Sequence, residues 1–318
     1  MKSIAVLTSG GDSPGMNACV RAVVRYGISQ GLNVYGIKRG YAGLIEDDME
    51  LMTTRSVGNI IQQGGTILKT ARCKEFKNDD VIDRAAKILI KRGIEGLVVI
   101  GGDGTFRGAE RLIQRGILCA CIPATIDNNL YYTDYTLGFD TATNTVVDLI
   151  NKVRDTSMSH DRVSIVETMG AGCGDIALKA GLAAGADIVI VPEIKCNVDD
   201  VCEKLLKAKE NNKRFSIIVI SEHIFEPHEF AKSITQKCGI ECRLIVFGHI
   251  QRGGSPSAFD RNLGTNFAVR AVQELINGNC GVVGYKNGNY IYVTINEALS
   301  AKRNFNYEEY KLVEKLSF

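Results

Sequence analysis

Three short loops carry residue types that can do phosphate chemistry. The sharpest is Gly101-Gly102-Asp103-Gly104-Thr105, which follows Leu97-Val98-Val99-Ile100 and opens a helical pattern. Glycines leave room for phosphate oxygens close to the backbone. An aspartate among them can hold Mg²⁺, which favours carboxylate and phosphate oxygens together. The plainer alternative is an aspartate bonding the backbone of its own turn. A second Gly-Gly-Asp stands in Thr8-Ser9-Gly10-Gly11-Asp12-Ser13-Pro14-Gly15-Met16-Asn17. There Ser13 reads as a helix N-cap and Pro14 as the first helical residue, so that free N–H groups of a new helix would favour an anion. An ordinary glycine turn explains the same residues. The third loop, Ile122-Pro123-Ala124-Thr125-Ile126-Asp127-Asn128-Asn129, offers Asp127 as a general base for an attacking hydroxyl. A turn aspartate is its bland equivalent.

Other charged residues suit an anionic ligand or a plain surface. Arg162 and Arg243 each begin an apolar run, where an exposed arginine needs no ligand. Arg252 lies in Gln-Arg-Gly-Gly, a loop that is solvated by default, and His249 between Gly248 and Ile250 reads equally as a satisfied buried histidine. Glu222 ends an apolar run, at the strand edge where α/β folds bind ligands, or it acts as a cap. Arg21 and Arg25 are four apart on one helix, a spacing that repels mildly unless an anion bridges the pair. Lys213 and Arg214 precede another apolar run.

The elements that must position these residues follow a regular rhythm. Short Ile- and Val-rich runs without alternation occupy 4–8, 34–37, 96–100, 120–123, 162–167, 188–191, 216–221 and 244–247. That is the pattern of strands covered on both faces. Helical periodicity occupies 16–29, 83–91, 142–153 and 199–209. Strands alternating with helices imply an α/β fold with mainly parallel, doubly wound sheets.

Size and charge narrow the class further. At 318 residues and 45% hydrophobic content, two domains are expected rather than one. A net charge of +2 gives no pull towards nucleic acid or membrane. The ten cysteines are scattered, without zinc-type spacing, and read as free thiols in a reducing compartment. No apolar run reaches membrane-spanning length, and the N-terminus runs straight into a strand pattern instead of a signal peptide. A cytoplasmic location is expected.

Taken together and in this order, the loops resemble the bacterial-type ATP-dependent 6-phosphofructokinase family. The resemblance is carried by Leu-Thr-Ser-Gly-Gly-Asp-Ser-Pro-Gly-Met-Asn at 7–17, Gly64-Gly65-Thr66 with Thr70-Ala71-Arg72, and Val-Ile-Gly-Gly-Asp-Gly-Thr at 99–105. It continues in Thr-Ile-Asp-Asn at 125–128, Gly-Phe-Asp-Thr-Ala at 138–142, Arg154-Asp155-Thr156, and Phe-Gly-His-Ile-Gln-Arg-Gly-Gly-Ser-Pro at 247–256. It implies two three-layer α/β/α domains. Residues 1–138 with 251–304 would bind ATP and Mg²⁺, and 139–250 with 305–318 would bind sugar phosphate and make subunit contacts. Gly11, Arg72, Cys73, Gly102, Asp103, Gly104 and Thr105 match nucleotide positions, with Asp103 on the metal. Asp127 matches the base that deprotonates the 1-hydroxyl of fructose 6-phosphate. Thr125, Arg162, Met169, Gly170, Glu222, Arg243, His249 and Arg252 match sugar-phosphate positions. The resemblance also implies that Arg162 and Arg243 act across a subunit interface of a homotetramer. Arg21, Arg25, Arg154, Gly185, Asp187 and Lys213 match an allosteric effector site.

Three positions depart from the family pattern. Ala124 stands where glycine is usual, Asn129 where aspartate is, and Ala171 where an arginine contacts phosphate. Losing a charge-assisted hydrogen bond costs about 1.5–3 kcal/mol. Gly104 is the residue of ATP users, since pyrophosphate users carry aspartate there. The expected activity is therefore transfer of phosphate from MgATP to fructose 6-phosphate in glycolysis. The alternatives are a weakly active or inactive regulatory paralogue, or a kinase for another sugar phosphate. Lipid and NAD kinases share only the Gly-Gly-Asp-Gly-Thr loop.

Overall fold

The computed structural model describes residues 1–317. The chain begins with β1 (Ser3–Thr8), α1 (Met16–Ser29), β2 (Asn33–Ile37), α2 (Gly40–Ile45) and β3 (Met49–Leu51). It continues through α3 (Asp79–Lys91), β4 (Gly96–Gly101), α4 (Asp103–Ile113) and β5 (Leu118–Pro123). Next come α5 (Phe139–Ser159), β6 (Val163–Thr168), α6 (Asp175–Ala183), β7 (Ile188–Ile190), α7 (Val198–Glu210), β8 (Ser216–Ser221), α8 (Pro227–Cys238) and β9 (Cys242–Val246). The chain closes with α9 (Ala258–Ile276), β10 (Gly281–Lys286), β11 (Asn289–Val293), α10 (Ile295–Ser300) and α11 (Tyr307–Leu316). Two compact units result. One comprises residues 1–126, 130–141 and 252–303, the other 127–129, 142–251 and 304–317.

The first unit is built on a seven-stranded sheet in the order β11-β10-β5-β4-β1-β2-β3. Its five inner strands run parallel, and β3 and β11 are antiparallel edges. The inner strands β1, β4 and β5 are largely apolar because both faces are covered. Ile4, Val6, Val98, Ile100, Ala120 and Ile122 point to one face and pack with Val20 and Val23 of α1 and Phe267 and Leu275 of α9. The alternate residues Ala5, Leu7, Leu97, Val99, Cys119 and Cys121 meet Ile82 and Leu89 of α3, Phe106 and Leu112 of α4, and Ile295 of α10. Period-two geometry turns one apolar run into two cores.

The second unit holds four parallel strands in the order β7-β8-β6-β9. Ile165, Ile190, Ile218 and Ile220 pack with Val201 and Leu205 of α7 and Phe230 and Ile234 of α8. On the other face α6 packs against β7 and β8, and the Ser157 hydroxyl of α5 lies 2.6 Å from that of Ser164 in β6. The ten cysteines all carry free thiols. Among the described residues no helix is long and apolar enough to cross a membrane.

One local expectation fails. Ser13 does not cap α1, and Pro14 is not its first residue. Gly15, at φ 100°, is the N-cap and the helix begins at Met16. Added bulk at Gly15 would strike the Leu137 side chain at 2.7 Å, so the close approach of the 137 segment sets where the turn falls. The Ser13 hydroxyl is buried and finds no hydrogen-bond partner among the described residues.

Candidate active site

In the first unit, the carboxyl ends of β1 and β4 lie side by side, paired from Ile4↔Gly96 to Thr8↔Ile100. This register brings the two Gly-Gly-Asp loops together. The Ser9 amide donates to Ile100 O at 2.9 Å, and the Thr105 hydroxyl donates to Ser9 O at 3.3 Å. The Thr70 hydroxyl donates to Gly10 O at 2.7 Å, which fixes the approach to Arg72 and Cys73. Arg72 is exposed and Cys73 half-buried.

The glycines here differ in what they serve. A Cβ on Gly101 would sit 2.4 Å from Ser9 O and 2.6 Å from the Thr105 hydroxyl, so packing within the unit demands that glycine. At Gly102 and Gly104 a Cβ would meet no protein atom within 4 Å. No packing contact demands glycine at either position, and the open space beside them is free for another molecule. Gly102 is the N-cap of α4 and Asp103 its first, exposed residue. The Thr105 amide donates to Gly102 O at 3.0 Å, while the first two amides of a helix have no acceptor within it and its dipole favours negative charge at that end. Thr105 is held from below, since the Tyr41 hydroxyl donates to its carbonyl at 2.6 Å.

Arg252 joins this group. Its guanidinium donates to Asp12 O at 3.1 Å, and a Cβ on Gly11 would strike its Nη1 at 2.3 Å. A side chain at position 11 would displace this guanidinium from where it now sits. The loop after β5 is tied to the same edge. The Ala124 amide donates to Gly101 O at 2.9 Å, and the Thr136 hydroxyl donates to Thr125 O at 2.6 Å. Asp127, two residues further on, groups with the second unit and is 6% exposed.

In the second unit the expected sugar-phosphate residues fall into two sets. At the carboxyl ends of β6 and β8, Glu222 Oε1 accepts the amides of Gly170 and Ala171, each at 2.9 Å. Met169 donates its amide to the Gln251 side chain at 3.2 Å, and a Cβ on Gly170 would fall 2.1 Å from Cys173 O. Ala171 is exposed and sits at φ 50°, a left-handed geometry uncommon for a residue with a side chain. His249 lies exposed in the 3₁₀ turn Gly248–Arg252. Burial first, and then the Glu222 carboxylate, push Glu167 above the usual carboxylate range. These carboxylates suit hydroxyl donors.

Arg162 and Arg243 stand at the opposite end of the same sheet, before β6 and in β9. With His160, Lys209, Lys213 and Arg214 they line a cavity of about 670 Å³. Arg243 pairs with Glu241 at 2.6 Å, and Arg162 donates to the Thr156 hydroxyl at 3.2 Å. This end suits phosphate.

The expected effector residues also divide between the units. In the second, Arg154 donates to the carbonyls of Ala184 and Gly185, and Lys213 pairs with the buried Asp187. Asp187 also accepts the Ile217 amide at 2.8 Å, which gives it a structural task of its own. In the first unit Arg25 donates to Thr54 O at 3.2 Å, while Arg21 is half-buried on α1. The sequence reading overlooked Gln251, which braces Met169, and Asp260, treated below. Ser257 followed three residues later by Asp260 is a capping-box spacing that could have flagged the second.

These loops on this sheet match known proteins. The phosphofructokinase family profile matches residues 3–275, and the chain belongs to that family. The ATP-dependent 6-phosphofructokinase of Clostridium botulinum strain Hall is 54% identical over 318 residues, covering all of both chains. That of Clostridium acetobutylicum is 52% identical over the same span. Among solved structures, phosphofructokinase from Saccharomyces cerevisiae superposes with a TM-score of 0.89 at 30% identity. It matches 94% of this chain, which spans 45% of the yeast one. The pyrophosphate-dependent phosphofructokinase of Marinobacter aquaeolei shares the fold, with a TM-score of 0.85 at 19% identity over 97% of this chain and 86% of its own.

Proposed function

We propose that this protein is an ATP-dependent 6-phosphofructokinase, a cytoplasmic enzyme of glycolysis. The observation that carries the reading is the pair Gly102 and Gly104, left open beside Asp103 at the start of α4. Open backbone of this kind would admit a nucleotide's phosphates. Among the described residues no three of His, Cys, Asp and Glu gather as a metal cage. Asp103 would therefore hold Mg²⁺ with phosphate oxygens completing the shell. When bound, the ion supplies charge to neutralise the transferring phosphoryl group. The amides of α4 and the Arg252 guanidinium add to that neutralisation, the main work of phosphoryl transfer.

Asp127 takes the proton of the fructose 6-phosphate 1-hydroxyl. The O1–phosphorus bond forms as the bond to the leaving oxygen breaks, and the electron pair departs with ADP. Glu222 and Met169 hold the sugar, and Arg162 and Arg243 hold its phosphate. Those arginines lie a six-residue strand away from Glu222, or about 20 Å, which supports a homo-oligomer in which each copy lends them to a neighbour. The family's tetramer meets that need. Arg21, Arg25, Arg154, Gly185, Asp187 and Lys213 would receive an anionic effector.

Formation of fructose 1,6-bisphosphate from fructose 6-phosphate with MgATP tests the reading. Turnover with ATP and little with pyrophosphate is expected. No product with either donor from folded protein would refute it.

Two glycine variants separate packing from ligand binding. Gly101→Ala overpacks the Ser9 contact and loses about 1–3 kcal/mol of stability. Gly104→Ala improves helix propensity by up to about 1 kcal/mol, so its melting temperature does not fall, yet its KM for ATP rises. Thermal melts and KM for the two variants read this directly. A Gly104→Ala enzyme with unchanged KM would remove the argument from open space.

A further inference from the structure

Asp260 of α9 is fully buried and belongs to neither ligand set. Its carboxylate accepts the Gly138 and Thr141 amides, each at 2.8 Å, and the Thr141 hydroxyl. The contact is reciprocal. The Ser257 hydroxyl caps α9 by accepting the Asp260 amide at 3.2 Å and donates to Asp140. The Ser257 amide in turn donates to the Thr141 hydroxyl at 2.9 Å. The starts of α5 and α9, both positive ends of helix dipoles, are thereby tied by two carboxylates.

From this clamp a short chain of bonds runs to the loop after β5. The Leu137 amide donates to Pro123 O at 2.9 Å, and the Thr136 hydroxyl reaches Thr125 O. Asp127 is two residues beyond Thr125. The Ser9–Gly11 and Asp103–Thr105 loops have separate supports in Thr70, Ile100 and Tyr41. The clamp reaches the loop bearing Asp127 through Leu137 and Thr136, whereas the Ser9–Gly11 and Asp103–Thr105 loops keep these supports of their own, so loosening the clamp moves the proton-accepting loop most.

We infer that Asp260 is a positioning residue for phosphoryl transfer: it clamps the start of α5 and so holds Thr125, and through it Asp127, where the hydroxyl proton is taken. The inference rests on the phosphofructokinase reading. It also carries a pH dependence. Accepting three bonds requires the carboxylate form. Burial, opposed by the Thr141 and Gly138 donors and helped by Asp140 on α5, pushes Asp260 up to about 6. Arg261 on its own helix turns to Pro256 O and the Ser255 hydroxyl, and the loop before α1 brings only the uncharged Gly15 to its backbone. As pH falls through about 6 the carboxylate is protonated, an acceptor is lost and kcat falls.

The test is Asp260→Asn in the full-length protein, assayed with fructose 6-phosphate and MgATP beside the wild type. The expected result is a roughly 10- to 150-fold lower kcat, the scale of a charge-assisted hydrogen bond, with KM for ATP unchanged. The acid limb of the kcat profile near pH 6 should also disappear. Thr141→Val removes one donor and keeps the charge; a smaller loss confined to kcat is expected, and this variant decides the matter if Asp260→Asn does not fold. Wild-type kcat in a folded variant, a loss shared equally with KM, or an unmoved acid limb overturns the inference. A wild type without turnover overturns the kinase reading as well, and so tells the two failures apart.

Discussion

Asp127→Asn lowers kcat by about 10²- to 10⁴-fold, the range a positioned general base supplies, while nucleotide affinity stays at the wild-type value. The substitution keeps size and shape and removes the proton acceptor. The loop around it should hold its course. Ile126 and Leu130 are buried on either side, the Thr125 carbonyl is fixed by Thr136, and Asn128 already takes the left-handed geometry the turn requires at φ 52°. Asparagine tolerates neighbours of that kind, being at home in turns. The proposed nucleotide contacts lie on other loops, at Gly11, Arg72 and Gly102–Thr105, so ATP titration of the variant serves as a control for folding. Initial rates with saturating substrates are the measurement. Turnover within twofold of wild type would assign the proton to another group. A loss of nucleotide affinity equal to the loss of rate would mean the loop had moved.

The sheets were legible because strands buried on both faces are written as unbroken apolar runs. Residues 96–100 and 216–221 read that way and form β4 and β8. The antiparallel hairpin β10–β11 was not legible. Its strands, Gly-Val-Val-Gly-Tyr-Lys and Asn-Tyr-Ile-Tyr-Val, mix glycine, tyrosine and exposed positions, since one of them is a sheet edge. The periodicity placed α1 at 16–29, as found, but its cap was misread for a tertiary reason: Ser13 has the right chemistry for a cap, yet the 137–138 segment packs on it and Gly15 takes the N-cap. Within the candidate site, motif chemistry marked the phosphate loops, and only the resemblance to the family assigned the sugar residues. The sequence could not distinguish Gly101, which packing requires, from Gly102 and Gly104, which it does not. The Ser257–Asp260 spacing could mark Asp260 as part of a helix cap, but not its carboxylate's partners, which are more than a hundred residues away in the chain.

Arg243→Ala and Asp127→Asn should each be nearly inactive alone, yet regain activity when co-expressed. The argument starts from the second unit's sheet. Met169, Gly170 and Glu222 gather at its carboxyl end, and Arg162 and Arg243 line the cavity at its amino end. One sugar phosphate is too small to reach both ends of a six-residue strand. A guanidinium also binds phosphate through paired donors that a shorter side chain cannot replace. If each copy lends its arginines to a neighbour, a mixed assembly contains some sites with both an intact Asp127 and an intact Arg243. For random pairing across a two-fold interface, roughly a quarter of wild-type activity returns, since half the pairs are mixed and each mixed pair has one complete site. Arginine and base acting within one copy predict no recovery, because every chain then carries one defect. The measurement is the specific activity of co-purified, differently tagged variants, with each variant alone as the baseline. Recovery would place the phosphate-binding arginines in trans and make assembly a condition of catalysis. Its absence would require each chain to bind the whole sugar phosphate itself, and would move the search for phosphate contacts to His249, just after β9 in the second unit.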